Sequence, residues 1–289
     1  MIITVPRRLK RSHIAFMFID TGDNTDPIPN SSYVTMFAVS TGSVAVELRQ
    51  IPNQPIRFMA DPTQQSRTED AIIAWTWETF IEKNGTNPYI LLYMPMTKRG
   101  WTTWTTAAVN NRRVSAAVPI VLDILNLRKN MKHQYRSLAG WTFAFYDYYV
   151  SNIPRYLDNP NFQKMADIID PYSYLDRYAQ VKLFQIQASN DEFFVPDSED
   201  YFWDDLQMKT GGTLLRRIPN TGHNIQGYME SLESFYLSVA DRQILPSFKW
   251  TRTINETHGR IIGVVNFSAG RPKPINATAY HARTVNGTK

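Results

Sequence analysis

Two residues at the ends of apolar runs have the types and order that acid–base chemistry needs. Asp191 follows the run Val181–Ala188, and His223 follows Leu214–Ile218. Each sits where a strand gives way to a turn-rich loop. A carboxylate placed there can orient an imidazole and stabilise its protonated form, while the imidazole takes a proton from a hydroxyl. Acid before histidine, with room for one helix between them, matches the second and third members of a serine triad on an α/β sheet. The plainer reading makes Asp191 a cap for the next segment and His223 a polar turn residue. The chain has no cysteine, which excludes thiol nucleophiles, disulfides and thiolate metal sites. His13, His133, His223, His258 and His281 lie too far apart in sequence to suggest a metal-binding pair, so no metal or cofactor is expected. His133, beside Lys132, reads as a surface residue.

The elements that must carry those loops alternate. Residues 13–19 form an apolar run that stops at the turn-rich Asp20–Asn24, and Tyr33–Val39 reads as a short helix or strand. Val44–Gln50 reads as a strand. Glu69–Glu82 has helical periodicity and an acidic first turn. Tyr89–Met94 reads as a buried strand, Arg99–Val109 as a helix and Val114–Val121 as a strand, which together suggest a βαβ unit and a mostly parallel α/β sheet. Residues 126–179 read as a helical, aromatic-rich insertion, and Glu230–Gln243 as an amphipathic helix. Beyond Pro246 the pattern turns β-rich at Lys249–Thr253, Arg260–Phe267 and Asn276–Ala282. The expected organisation is a hydrolase-like unit over 1–245 and a β-rich module over 246–289.

Seven segments carry a closer likeness. Gln50–Pro55, Arg67–Ala74, Lys98–Trp104, Ile169–Ser173, Asp191–Phe194 with Pro196 and Asp197, Tyr201–Asp204, and Pro219–Asn220 with His223 resemble the PhoPQ-activated pathogenicity-related proteins, a family with a proliferation repressor among its members. The resemblance implies an α/β-hydrolase core with a C-terminal β-rich module, secretion, and a serine triad in which Asp191 and His223 are acid and base. Glu192 is the alternative acid; Asp191 comes first after its strand and is preferred.

The nucleophile departs from the family pattern. There, a Pro-Met-x-Lys segment leads through a helix and a strand to a Gly-x-Ser-Lys-Arg-Gly-Trp elbow. Here Pro95-Met-Thr-Lys98 runs straight into Arg99-Gly100-Trp101, so about a crossover's worth of chain, on the order of 30 residues, is missing. The competing reading puts Thr97 in the serine's place. Pro95, with a locked φ, and the β-branched side chain of Thr97 both oppose a strained elbow there. Ser189 precedes the acid and Ser115 starts a strand, so neither replaces the serine. Gly22, in the loop after the first apolar run, is placed to give one oxyanion donor; otherwise that loop is simply a turn. The stripe Trp141–Tyr149 reads first as core packing and second as a lid.

A charge of +5 from 31 basic and 26 acidic residues shows no clustered stripe, so no nucleic-acid partner is expected. Nor does any run approach the length of a membrane span. Acceptor triplets for N-glycosylation at Asn30, Asn84, Asn255, Asn266, Asn276 and Asn286 point to a secreted glycoprotein whose signal peptide is not in this sequence. Two functions remain open: an ancestral serine hydrolase of ester or peptide bonds, inactive here for want of its elbow, or a signalling protein that meets a cell-surface receptor. Sequencing cDNA across Asn87–Trp104 separates them. A longer product that restores Gly-x-Ser favours the enzyme, and a short product alone favours the scaffold.

Overall fold

The computed structural model describes residues 1–27, 32–93, 98–210, 213–266 and 276–281. The first apolar run forms β2 (Arg11–Ile19), which crosses over through α1 (Ser32–Thr41) to the parallel β3 (Ser43–Leu48). β1 (Ile2–Thr4) closes the other side of β3 antiparallel. Phe16 and Phe18 face Val34, Ala38 and Ala45, so this crossover buries one face of the sheet under α1.

A second sheet holds β4 (Ala116–Ala117), β5 (Lys182–Ala188) and β6 (Thr213–Ile218), all parallel. β5 lies in the middle and is buried from Leu183 to Ala188. It reaches β6 through α7 (Trp203–Thr210). The fold is therefore mixed α/β with parallel strands, but its sheet comes in two three-stranded pieces that share no ladder among the described residues.

Helices hold the pieces together. α8 (Met229–Ala240) sets Tyr236 edge-on to Phe16 of β2 at 6.0 Å, and Phe235 against Phe184 of β5 at 5.2 Å. Just past α8, Asp241 pairs with Arg11 of β2 at 2.6 Å. α3 (Arg99–Val109) contacts both β2 and β4. Its buried face repeats as Trp101, Trp104, Ala107 and Ala108. Both indoles bury their rings and still satisfy their N–H groups: Trp101 donates to the Ile169 carbonyl at 2.7 Å, and Trp104 to the Leu122 carbonyl at 3.2 Å. Close approach depends on Gly100, where a Cβ would stand 2.6 Å from Leu122 Cβ and 2.9 Å from the Ile120 carbonyl oxygen.

The main core packs α3 against α2 (Glu69–Glu82), α4 (Leu127–Ser137), α5 (Tyr146–Val150) and α6 (Pro160–Ile169). α2 follows its amphipathic pattern, with Ile72, Ile73, Trp77, Phe80 and Ile81 buried. α6 starts with Pro160 in the first turn and Asn159 as cap, its side chain accepting from the Asn161 N–H at 2.8 Å. Asp170 accepts from the Leu127 N–H at 2.6 Å and the Tyr172 N–H at 2.9 Å, joining the start of α4 to the end of α6. Beyond α8, β7 (Ser247–Ile254) and β8 (Gly259–Asn266) form an antiparallel hairpin. It meets the rest through Trp250 on Trp203 at 5.6 Å and Arg252 on Asp200 at 3.2 Å.

Three expectations are corrected. Pro88–Tyr93 is a 3-10 turn rather than a strand; Leu91 is buried and Tyr89 exposed, and a short apolar run alone does not separate strand from helix. The strand expected over Val114–Val121 shrinks to Ala116–Ala117 plus a bridge from Ile120 to Ile186, because Pro119 has no N–H to donate and Val121 turns to φ 45°. Residues 276–281 carry no strand. Gly100→Ala is expected to cost about 1–3 kcal/mol through overpacking at Ile120 and Leu122, read as a lowered midpoint in urea unfolding.

Candidate active site at the ends of β5 and β6

The loops after β5 and β6 bring Asp191 and His223 together. His223 Nδ1 lies 3.0 Å from Asp191 Oδ2 and 3.1 Å from Oδ1. Asp191 is fixed from behind, its Oδ1 accepting from the N–H groups of Phe193 at 2.8 Å and Phe194 at 3.1 Å. Its side chain is almost fully buried, while that of His223 is 26% exposed. Phe193 and Phe194 pack on the imidazole with centroids 4.7 and 5.7 Å away.

Glu192 has a different task. Its Oε2 accepts from the His223 backbone N–H at 3.0 Å and so holds the loop rather than the ring. Burial is the largest single influence and works upward on this carboxyl. The backbone N–H groups of His223 and of Glu192 itself, with the His223 charge, together outweigh it and leave the pKa below the ordinary value. A Cβ at Gly222 would stand 3.2 Å from the same oxygen.

The start of α3 reaches this site. Lys98 Nζ sits 4.3 Å from the Phe193 ring centre and pairs with Asp70 at 2.9 Å. Tyr148 donates to the other Asp70 oxygen at 2.6 Å. Burial, then Asp70, push the Tyr148 phenol well up, so it stays a neutral donor. Lys98, Trp77, Trp101, Leu122, Phe145, Tyr148 and Phe193 are among the residues lining a mainly apolar cavity of about 30 Å³. The aromatic stripe splits: Phe145 and Tyr148 face this core, whereas Phe143, Tyr146 and Tyr149 are exposed.

Behind Asp191 lies a polar layer that sequence reasoning missed. Asp123 is 1% exposed, and neither of its carboxylate oxygens bonds to another residue. Burial drives its pKa well up; Arg217 opposes this, and Glu199 and Asp191 add to it. Arg217 pairs with Glu199 at 2.6 Å. Gln187, opposite Arg217 in the ladder, and Gln185 are buried with unbonded amides. The sequence signal was two glutamines, alternating on one face of a strand that is otherwise apolar after Lys182.

The remaining candidates fall apart from the dyad. Thr97 lies outside the described residues. Gly22, at φ 152°, belongs to a loop tied to Glu69 by Thr21, and Glu69 also binds Arg99 at 2.9 Å. The Gly22 and Asp191 loops thus reach neighbouring residues at the start of α3, Arg99 through Glu69 and Lys98 through Phe193. Ser189 Oγ accepts from the Asn220 N–H at 2.8 Å, clamping β5 to β6. Ser115 precedes β4, where its carbonyl accepts from Lys182. His133 is not the surface residue expected: it bonds Asp197 at 2.8 Å and packs on Tyr201. Ser137 Oγ is 3.4 and 3.3 Å from its two ring nitrogens. A hydroxyl so nearly equidistant from both is poorly aligned with either lone pair, and this trio is a strut. Among the described residues no three His, Asp or Glu group as metal ligands, and no helix is long and apolar enough to cross a membrane. Asn84, Asn255, Asn266 and Asn276 are exposed, Asn255 at the tip of the β7–β8 hairpin; Asn30 and Asn286 lie outside the described residues.

A family model described as PhoPQ-activated pathogenicity-related protein matches residues 1–98 and 96–287. The chain belongs to that family. Its two matches meet at 96–98, on the shortened junction itself. This family member is 34% identical over 324 aligned positions to autocrine proliferation repressor protein A of Dictyostelium discoideum, an alignment covering 99% of this chain and 64% of that protein. The chain thus spans about two thirds or less of that relative's length. Because the alignment runs 324 positions and this chain has 289 residues, at least 35 aligned positions have no counterpart here. Among solved structures it is similar to Est1E from Butyrivibrio proteoclasticus (12% identity, 83% of this chain, 92% of that one, TM-score 0.42). It is also similar to S-formylglutathione hydrolase from Staphylococcus aureus (15% identity, 78% and 83%, TM-score 0.39). Likenesses of that size carry no argument about chemistry. The mixed α/β architecture with parallel strands is the fold class that the resemblance implied.

The buried acid behind the dyad has a readable effect. With its pKa raised in the fold, Asp123 binds its proton more tightly in the native than in the unfolded state. Stability therefore falls as pH rises above the ordinary carboxylate range. Asp123→Asn removes that loss, so its melting temperature relative to the wild type is expected to be higher at pH 8 than at pH 5.

Proposed function

We propose that this protein is a secreted, glycosylated, α/β-hydrolase-like member of its family that has lost serine acyl-enzyme chemistry and keeps the Asp191–His223 site. The observation that carries this reading is the break in the sheet. Where the two halves would need a central strand to present an elbow, β2 and β4 share no ladder among the described residues, and the family match divides in two at residues 96–98. His223 retains its acid, but no hydroxyl of a described residue is bonded to Nε2. Without a serine on a strained turn, neither the attacking oxygen nor the first oxyanion N–H is in place. The ancestral substrate class is a small ester or peptide.

A second reading makes the chain a signalling protein that uses the same fold as a scaffold for a cell-surface receptor. It draws on the name of the Dictyostelium relative, a proliferation repressor. Under either reading residues 1–245 form the hydrolase-like unit and 246–289 a β-rich module. The exposed positions of four acceptor asparagines support secretion and glycosylation.

The purified chain is expected to resist labelling by a fluorophosphonate–biotin probe that labels an active serine hydrolase beside it. Stoichiometric labelling would show a working nucleophile and end the first reading. Expressed through a secretory pathway, it should lose mass on treatment with peptide-N-glycosidase; an unchanged mass would remove the glycoprotein proposal.

A further inference from the structure

The pair at His223 is complete in a respect that does not depend on a serine. Nδ1 lies against both oxygens of Asp191 at 3.0 and 3.1 Å, so it is Nδ1 that carries the proton in the neutral ring. That leaves the lone pair on Nε2. Asp191 is in turn anchored by two backbone N–H groups, and its burial keeps water from competing for the bond. Phe193 and Phe194 brace the ring. The imidazole is 26% exposed, and Nε2 has no partner among the described residues. A base held in that tautomer accepts a proton from any hydroxyl that reaches it, water included.

We propose that His223, oriented by Asp191, activates water directly and hydrolyses small acetyl esters with no covalent intermediate. The proposal rests on the reading that Asp191 and His223 form the site and that the serine step is gone. In the first step the water oxygen bonds to the ester carbonyl carbon as one of its protons passes to Nε2. The carbonyl π pair moves onto its oxygen. Collapse of the tetrahedral adduct then breaks the bond to the leaving oxygen, which takes the proton back from Nε2. The products are the acid and the alcohol or phenol, and nothing is oxidised or reduced. Asp191 stays ionised throughout and stabilises the transient imidazolium.

Phe193 and Phe194 pack on the imidazole and also line the apolar cavity, to which the acyl group is assigned. Its volume is about 30 Å³, and its walls include Trp77, Trp101, Leu122 and Phe145. A single water needs roughly 10–15 Å³ of such space, so the space admits a methyl group and stops a long chain. General-base catalysis alone contributes about 10²–10⁴-fold, so the activity is slow beside that of a serine hydrolase.

The test uses the full chain with 4-nitrophenyl acetate and 4-nitrophenyl octanoate, beside His223→Gln, Asp191→Asn and Thr97→Ala prepared identically and checked by thermal melting. The expected result is acetate hydrolysis at least tenfold faster than in His223→Gln, an intermediate loss in Asp191→Asn and no loss in Thr97→Ala. The rate should fall in deuterium oxide. Mass spectra of acid-quenched enzyme should show no acyl adduct, and octanoate should be turned over more slowly than acetate. Equal rates in the wild type and His223→Gln overturn this proposal while leaving the lost-serine reading intact. An acyl adduct on His223 overturns it in the same way, by showing nucleophilic rather than base catalysis. An adduct on a hydroxyl, or loss of rate in Thr97→Ala, overturns both. Octanoate turnover as fast as acetate overturns the assigned acyl size.

Discussion

Among the described residues the two half-sheets share no backbone hydrogen bonds, so the molecule depends on the helices that span them. A continuous sheet would pass register and twist from strand to strand. Here that information crosses through side chains: Tyr236 on Phe16, Asp241 on Arg11, and the buried face of α3. Gly100 lets the first turn of α3 lie against Ile120 and Leu122, which places Trp104 under the Leu122 carbonyl. The same turn begins with Lys98 and Arg99, whose partners are Asp70, Phe193 and Glu69. The clamp that joins the halves is thus also one wall of the site.

Sequence pattern was most informative where an element answers to its own periodicity. The bounds read for α2 and α3 are those of the structure, because each helix buries one stripe and ends where that stripe ends. β5 and β6 were legible to within a residue, since apolar runs closed by turn residues leave little latitude. Segments whose structure depends on a neighbour were not. Tyr89–Met94 has the composition of a strand, yet Pro88–Tyr93 coils against α2, and Met94 lies outside the described residues. Val114–Val121 had apolar residues enough for a strand but also a proline, Pro119, toward its end, which limits it to two ladder residues and one bridge.

The site divides in the same way. Asp191 and His223 could be named from order and strand ends, because that topology fixes which loops meet. Asp191 was preferred over Glu192 from its place first after the strand. The separate task of Glu192, which turns to the His223 backbone while Asp191 turns to the ring, was not legible. Lys98, Tyr148 and Asp70 meet from three separate segments, and no local signal links them. Asp123 was invisible for the opposite reason. An acid after a strand normally reads as a surface cap, and only burial shows that its charge is uncompensated by a direct bond.

The open side of β2 has a consequence beyond the site. His13, Ala15 and Met17 lie exposed along one face of a strand whose outer edge bears no partner strand among the described residues, and Ile3 of β1 is exposed nearby. Parallel strands are ordinarily covered on both faces, and an uncovered edge is a template for another chain. That template competes with folding for every newly made copy. The shortened junction therefore bears on how much folded protein accumulates as well as on the site.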